Sequence, residues 1–237
     1  KDAVPSSSQL VVAGGPLTFG GALVLTNISA SPLAPGDTFT LFNAPGYAGA
    51  FSSITTLPTL PAGLLWNTNN LLLDGTISII TNSTSTWNGG GANANWNTAA
   101  NWNGTAPTNG QSLVFQGTLR QNNANNLLAS VGQVMFVNGG FALSGNVVSL
   151  LWGVLNLTGN NTWGIASTLT APQSFVSSNG TLTVSGAVAN SGFNLTLDGA
   201  GGTALAGVVS GAGGLVKSGS GTATLSVQQA YTGGTTI

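Results

Sequence analysis

The sequence predicts an all-β fold, and within that class a parallel β-solenoid, on three observations. The charged helix formers are scarce: there is no Glu, Lys and Arg together number 3, and Gly alone numbers 36. Short segments in which apolar residues alternate with Thr, Ser or Asn recur along the chain, which is the period of a half-buried strand. Many of them end on glycine: "ALSG" at Gly145, "LNLTG" at Gly159, "LTVSG" at Gly186, "LTLDG" at Gly199 and "GVVSG" at Gly211. The intervals of 14, 27, 13 and 12 residues point to a unit of about thirteen, or two such units. Evenly spaced short strands fit a sandwich, a barrel or a solenoid. The third observation favours the solenoid: Asn, Thr and Ser are dense where a sandwich would carry Lys and Glu on its faces and edges, and stacked rungs would let these residues form ladders.

The elements follow in order. "SQLVVAGGPLTFGGALVLTN" reads as two or three strands with glycine-rich turns. "DTFTLFNAPGYAGAFSSITTLPTLPAGLLWNTNNLLLDGTISII" adds aromatics and prolines, and its "LLLDGTISI" predicts a hairpin on the two-residue turn Asp74-Gly75. The polar run "TNSTST", Thr81 to Thr86, reads as a connector. Residues 1–83 are thus expected to form a β-rich segment, a cap or a small β-sandwich, and residues 84–237 a β-solenoid.

Composition excludes several functions. The chain has no His and no Cys, so a zinc site has no such ligands to draw on, and an imidazole-based triad and disulfides are ruled out. Its acids are Asp2, Asp37, Asp74 and Asp198, too dispersed for paired acid–base chemistry, and no enzyme or cofactor is expected. Asp74 and Asp198 sit in "LLDG" and "TLDG", where a hairpin role suffices. Lys1, Arg120 and Lys217 are too few to track a phosphate backbone, so nucleic acid is not an expected partner. No apolar run approaches the roughly 20 residues of a membrane-spanning helix. A formal net charge of −1 leaves little repulsion between copies, and self-association is expected.

Trp87, Trp96 and Trp102 lie in an Asn-rich run. They fit the core or a cap of a solenoid, which must cover its apolar end rungs. The alternative is a glycan-binding surface in which indoles stack on sugars and Asn amides bond to hydroxyls. The Thr181/Thr183 and Thr222/Thr224 alternation fits β propensity and is too irregular for an ice-binding array.

The closing stretch "GAGGLVKSGSGTATLSVQQAYTGGTTI" resembles the autotransporter-associated β-strand repeat, also called the passenger-associated transport repeat. The resemblance rests on Gly211, Gly213, Gly214, Leu215, Lys217, Gly219, Gly221, Thr222, Thr224, Leu225, Ser226, Tyr231, Thr232, Gly233, Gly234, Thr235 and Thr236. Ala223, Val227 and Gln229 depart from it. "TWNGGGANANWNTAANWNGTAPTNGQSLVFQGTLRQNNANN" resembles the segment that opens a module in these repetitive bacterial surface proteins, and the first 83 residues resemble one that closes a module. The resemblance implies a right-handed parallel β-helix, export, and residence at the bacterial cell surface or outside the cell. The order of closing segment, opening segment and repeat is expected of a piece, or one period, of a longer array.

Together these readings lead to the expectation of a structural, self-associating protein. It would be a filament or fibre subunit, or a stalk segment, that joins head to tail through strands in Gln9–Phe19 and Thr222–Ile237. An adhesin holding a glycan is the alternative.

Overall fold

The computed structural model describes residues 7–26, 32–49, 51, 53–56, 60, 64–81 and 83–237. The chain divides into two compact units, Lys1–Asn82 and Ser83–Ile237.

In the first unit, three parallel strand pairs follow one another. Strand β1 (Leu10–Val11) pairs with β5 (Phe42–Asn43), β2 (Leu17–Phe19) with β6 (Tyr47–Gly49), and β3 (Ala22–Val24) with β7 (Ser53–Thr56). This is the pattern of two stacked coils. An antiparallel three-stranded sheet accompanies them, with β9 (Thr76–Thr81) between β4 (Thr38–Thr40) and β8 (Leu64–Asn67). The segment is β-rich, as expected. Phe19 anchors the core, with ring centroids 4.6 Å from Phe51 and 4.9 Å from Phe42.

The hairpin expected on Asp74-Gly75 is absent: β9 pairs instead with β8, which precedes the leucine run. Residues 68–75 connect the strands and include a 3-10 turn, Asn69–Leu72. Leu71 is buried there and Leu73 is exposed. The leucine run therefore serves as a loop anchor rather than a strand. Asp74 Oδ1 accepts from the Thr76 backbone N–H at 3.0 Å, and Gly75 adopts φ 74°. A Cβ on Gly75 would collide with the Phe42 carbonyl, so glycine is required by both conformation and space.

The second unit is a parallel β-solenoid of three sheets. The long sheet stacks β10 (Thr84–Trp87), β11 (Ser112–Phe115), β14 (Val134–Phe136), β17 (Val154–Asn156), β20 (Gln173–Ser177), β23 (Leu195–Asp198), β26 (Leu215–Lys217) and β29 (Thr235–Thr236). The second sheet holds β12 (Asn122–Asn125), β15 (Ala142–Gly145), β18 (Asn161–Trp163), β21 (Thr181–Val184), β24 (Gly202–Leu205) and β27 (Ala223–Leu225). The third holds β13 (Ser130–Val131), β16 (Val148–Leu150), β19 (Ser167–Leu169), β22 (Val188–Ala189), β25 (Val209–Gly211) and β28 (Ala230–Tyr231). All neighbours are parallel, and from β11 onward the chain visits the three sheets in turn.

Register sets the coil length. Val134 pairs with Val154 and Val154 with Phe175, so one coil spans 20 or 21 residues there. The thirteen-residue unit read from the sequence is therefore about two thirds of a coil. Gly145 closes a strand of the second sheet and Gly159 follows one of the long sheet, so counting from glycine to glycine moved between faces. Asp198 likewise ends a parallel strand at a corner, where its carboxylate accepts from the Gly199 N–H at 2.7 Å. It does not make a hairpin.

Alternation puts one side of each strand inside. In "TLTV" of β21, Leu182 and Val184 are buried. In "LTLD" of β23, Leu195 and Leu197 are buried. Each fully buried Leu, Val or Phe contributes about 1.5–3 kcal/mol of transfer free energy. The interior also holds Asn125, Asn156, Asn161 and Asn190, all buried. They do not form one continuous ladder along the axis. Their amides turn back to hold corner backbone, as when Asn125 Nδ2 donates to the Leu128 carbonyl at 2.8 Å.

Candidate functional site

The ionised side chains serve their own neighbourhoods. Asp37 accepts from the Ala34 N–H at 2.8 Å, and Asp74 accepts from the Thr76 hydroxyl at 2.6 Å. Arg120 donates to the Gly89 carbonyl, and Lys217 donates to the carbonyls of Ser218 and Gly219. Among the described residues no group of three His, Cys, Asp or Glu side chains could hold a metal ion. No described helix is long and apolar enough to cross a membrane.

At the N-terminal end, the first coil is longer than the rest: Thr84 pairs with Ser112. The extra length folds over the interior. Asn95 bridges Ala124, so the chain there forms a first layer on the second sheet. Trp87, Trp96 and Trp102 fill the space beneath. Trp102 meets Trp87 edge to face at 5.0 Å and Trp96 at 5.9 Å, and Phe115 lies 5.8 Å from Trp102. Edge-to-face pairs of this kind add about 0.5–1.5 kcal/mol each beyond their burial.

This arrangement removes Trp87, Trp96 and Trp102 as sugar-stacking residues. Trp87 and Trp96 are 0% exposed and Trp102 is 3% exposed. Their indole N–H groups donate inward, to the Leu119 carbonyl, the Asn123 side chain and the Trp96 carbonyl respectively. No indole face or donor remains for a sugar. The three residues are the aromatic filling of the first coil, as the core reading of the sequence expected.

At the C-terminal end, the residues of the repeat-like stretch divide into two groups. Leu215 is buried, and Gly213, Gly214, Gly221 and Gly233 sit where a Cβ would strike the adjoining coil. Gly219 has φ 67° and lies against Asp198. Thr222 and Thr232 act through their backbones: the Thr222 carbonyl accepts from the Thr203 N–H, and the Thr232 N–H donates to Gly211. Lys217 is tied to its own corner. These residues bind the last coil to the one before it. Leu225, Tyr231 and Gly234 belong to the open side. Leu225 is 45% exposed although it follows Leu205 in register, and Leu205 is buried. Tyr231 hydroxyl bonds to Thr235 at 2.7 Å, and nothing lies within 4 Å of a Cβ on Gly234. Strands β27, β28 and β29 each end their sheet.

The first unit has a similar open coil. Strands β1, β2 and β3 each have a partner on one side only among the described residues. Leu10, Val11 and Val24 are more than half exposed.

Sequence reading missed a column of corner glycines: Gly139, Gly159, Gly180, Gly201 and Gly221. Each Cβ would meet the next glycine of the column, for example Gly159 against Gly139 Cα at 2.5 Å and Gly201 against the Gly180 carbonyl oxygen at 2.6 Å. Their spacing of 20 or 21 residues was present in the sequence, hidden among the other glycines. No protein-family model, curated protein or solved structure matches the chain.

Proposed function

We propose that the chain is a structural, self-associating extracellular protein, a filament or fibre subunit or a stalk segment of a bacterial surface protein. It assembles by end-to-end β-strand contacts. The observation that carries this reading is the pair of open coils, β1–β3 and β27–β29, each with strand edges and apolar side chains uncovered. Free edges are templates for another chain, and proteins blunt them by shortness, charge, proline or a bulge. The edge strands here have two or three residues, and β3 has a register shift at Leu23/Val24. The β27–β29 coil has none of the charges that would blunt it. Contacts between two different ends are head to tail and generate open polymers unless their rotation closes a ring. Surface residence and membership of the repeat family rest on the resemblance of Gly211–Ile237.

The test is negative-stain electron microscopy together with sedimentation velocity across a concentration series, with intact mass measured on the same sample. Rods that lengthen with concentration at the mass of one chain are the expected result. A single short species at every concentration would overturn the proposal.

A further inference from the structure

The two open coils can be compared strand by strand. In the solenoid, the connection from the long sheet to the second sheet takes three to six residues, from 178–180 up to 116–121. The connection from the second to the third takes two to four, from 146–147 up to 126–129. The connection from the third back to the long sheet takes two to five, from 132–133 up to 190–194. In the first unit, five residues (12–16) separate β1 from β2, and two (20–21) separate β2 from β3. Five followed by two fits only one assignment of faces. β1 corresponds to the long sheet, β2 to the second and β3 to the third.

We propose that β1, β2 and β3 of one copy complete the C-terminal coil of another, so that a finished solenoid is built from two chains. This rests on the end-to-end reading above and gives it a register. β2 lies on β27, and β3 lies on β28. Each layer of the solenoid holds one strand per sheet. β29 pairs with β26 and so already occupies the layer beyond β27 and β28. β1 therefore takes the place of β29, a strand of two residues, both exposed.

Side-chain direction agrees. In β24, Thr203 and Leu205 point inward, and they pair with Ala223 and Leu225 of β27. In β2, Leu17 and Phe19 belong to the apolar cluster and Thr18 is exposed. Laying Leu17 on Ala223, Thr18 on Thr224 and Phe19 on Leu225 keeps every inward residue inward and covers Leu225. A shift of one residue would reverse all three.

The corners give an independent argument. Gly221 is the last member of the glycine column at the corner between the long and second sheets. Gly15 lies at the same corner of the β1–β2–β3 coil, and Gly20 lies at the next. Neither has a positive φ, and a Cβ on either would meet nothing within 4 Å. Within the single chain, neither conformation nor space requires glycine there. Gly15 is explained when the coil is stacked, because it then extends the column beyond Gly221 and another residue would strike the neighbouring corner. No side chain in 7–26 or 218–237 is Asp, Glu, Lys or Arg, so no buried charge opposes the contact.

The experiment uses the full chain, which has no natural cysteine. Thr18→Cys and Thr224→Cys are made as separate variants and mixed, then treated with a short bis-maleimide. A covalent dimer in the mixture, absent from either variant alone, is the expected result. Gly15→Val is made in parallel. It is expected to keep the melting temperature of the unassembled chain and to raise the concentration needed for assembly at least tenfold. Rods that form without a Thr18–Thr224 cross-link, or with Thr224→Cys linking to itself, would overturn the register and leave self-association standing. Rods formed equally well by Gly15→Val would do the same. Absence of any assembly would overturn both. A further coil of the same polypeptide on β27 is the other occupant, and it would leave the mixed variants unlinked.

Discussion

Asn161 Nδ2 donates to Asn156 Oδ1 at 2.7 Å, with both side chains buried inside the solenoid. Asn161 Oδ1 accepts from the Phe141 N–H on the preceding coil, and Asn156 Nδ2 reaches Ser177 Oγ on the following one. The pair therefore links three coils through the interior. Replacing Asn156 by Leu removes its bonds to the Asn161 amide, the Ser177 hydroxyl and the Gly159 carbonyl, while Asn161 keeps the Thr158 carbonyl and Ser177 keeps the Gly180 carbonyl. Each lost hydrogen bond costs about 0.5–1.5 kcal/mol net. Urea unfolding of Asn156→Leu is expected to show a loss of at least one such bond.

Trp102 lies between Trp87, Trp96 and Phe115 in the first coil. Its truncation to Ala removes the shared partner of the cluster and leaves a cavity. The expected cost is about 3–5 kcal/mol, read as a lower urea midpoint. An effect on glycan retention is not expected, since no indole face is exposed.

Gly201 and Gly15 make opposite predictions for one substitution. Valine at Gly201 meets the Gly180 carbonyl and must displace backbone. Overpacking of this kind costs about 1–3 kcal/mol and more where backbone must move. Circular dichroism melting of Gly201→Val is expected to fall, whereas Gly15→Val melts like the parent.

Assembly through these ends is expected to be insensitive to sodium chloride. Screening acts on exposed charge pairs, and the contacting segments carry none. Sulfate, which strengthens apolar burial, is expected to lower the concentration at which rods appear. Leu225→Lys places a charge in the covered layer and is expected to abolish rods while leaving the monomer folded. Light scattering reads all three.

Much of the fold was legible because solenoid strands advertise themselves locally. The alternation in "TLTV" and "LTLD" needs no knowledge of partners, and the absence of Glu removes the helical alternative. Coil length was not legible in the same way. Gly145, Gly186 and Gly211 stand at different corners from Gly159 and Gly199, and nothing local distinguishes one corner from another. The Asp74-Gly75 turn failed because Leu71 is drawn into the core of the first unit, which outweighs the dipeptide preference. Burial of Trp87, Trp96 and Trp102 followed from residue type. Their inward hydrogen bonds did not, because Asn123 and Leu119 reach them only through the folding of the first coil.

The stacking of coils also bears on mechanical load. Each coil advances the solenoid by one strand spacing, about 4.8 Å, yet holds some twenty residues that extend to roughly 66–72 Å when drawn straight. Pulling the two ends of the second unit apart along its axis would peel one layer at a time. Each layer released would lengthen the tether more than tenfold over the height it had occupied. A stack of this kind yields gradually and can wind again from the coils that remain.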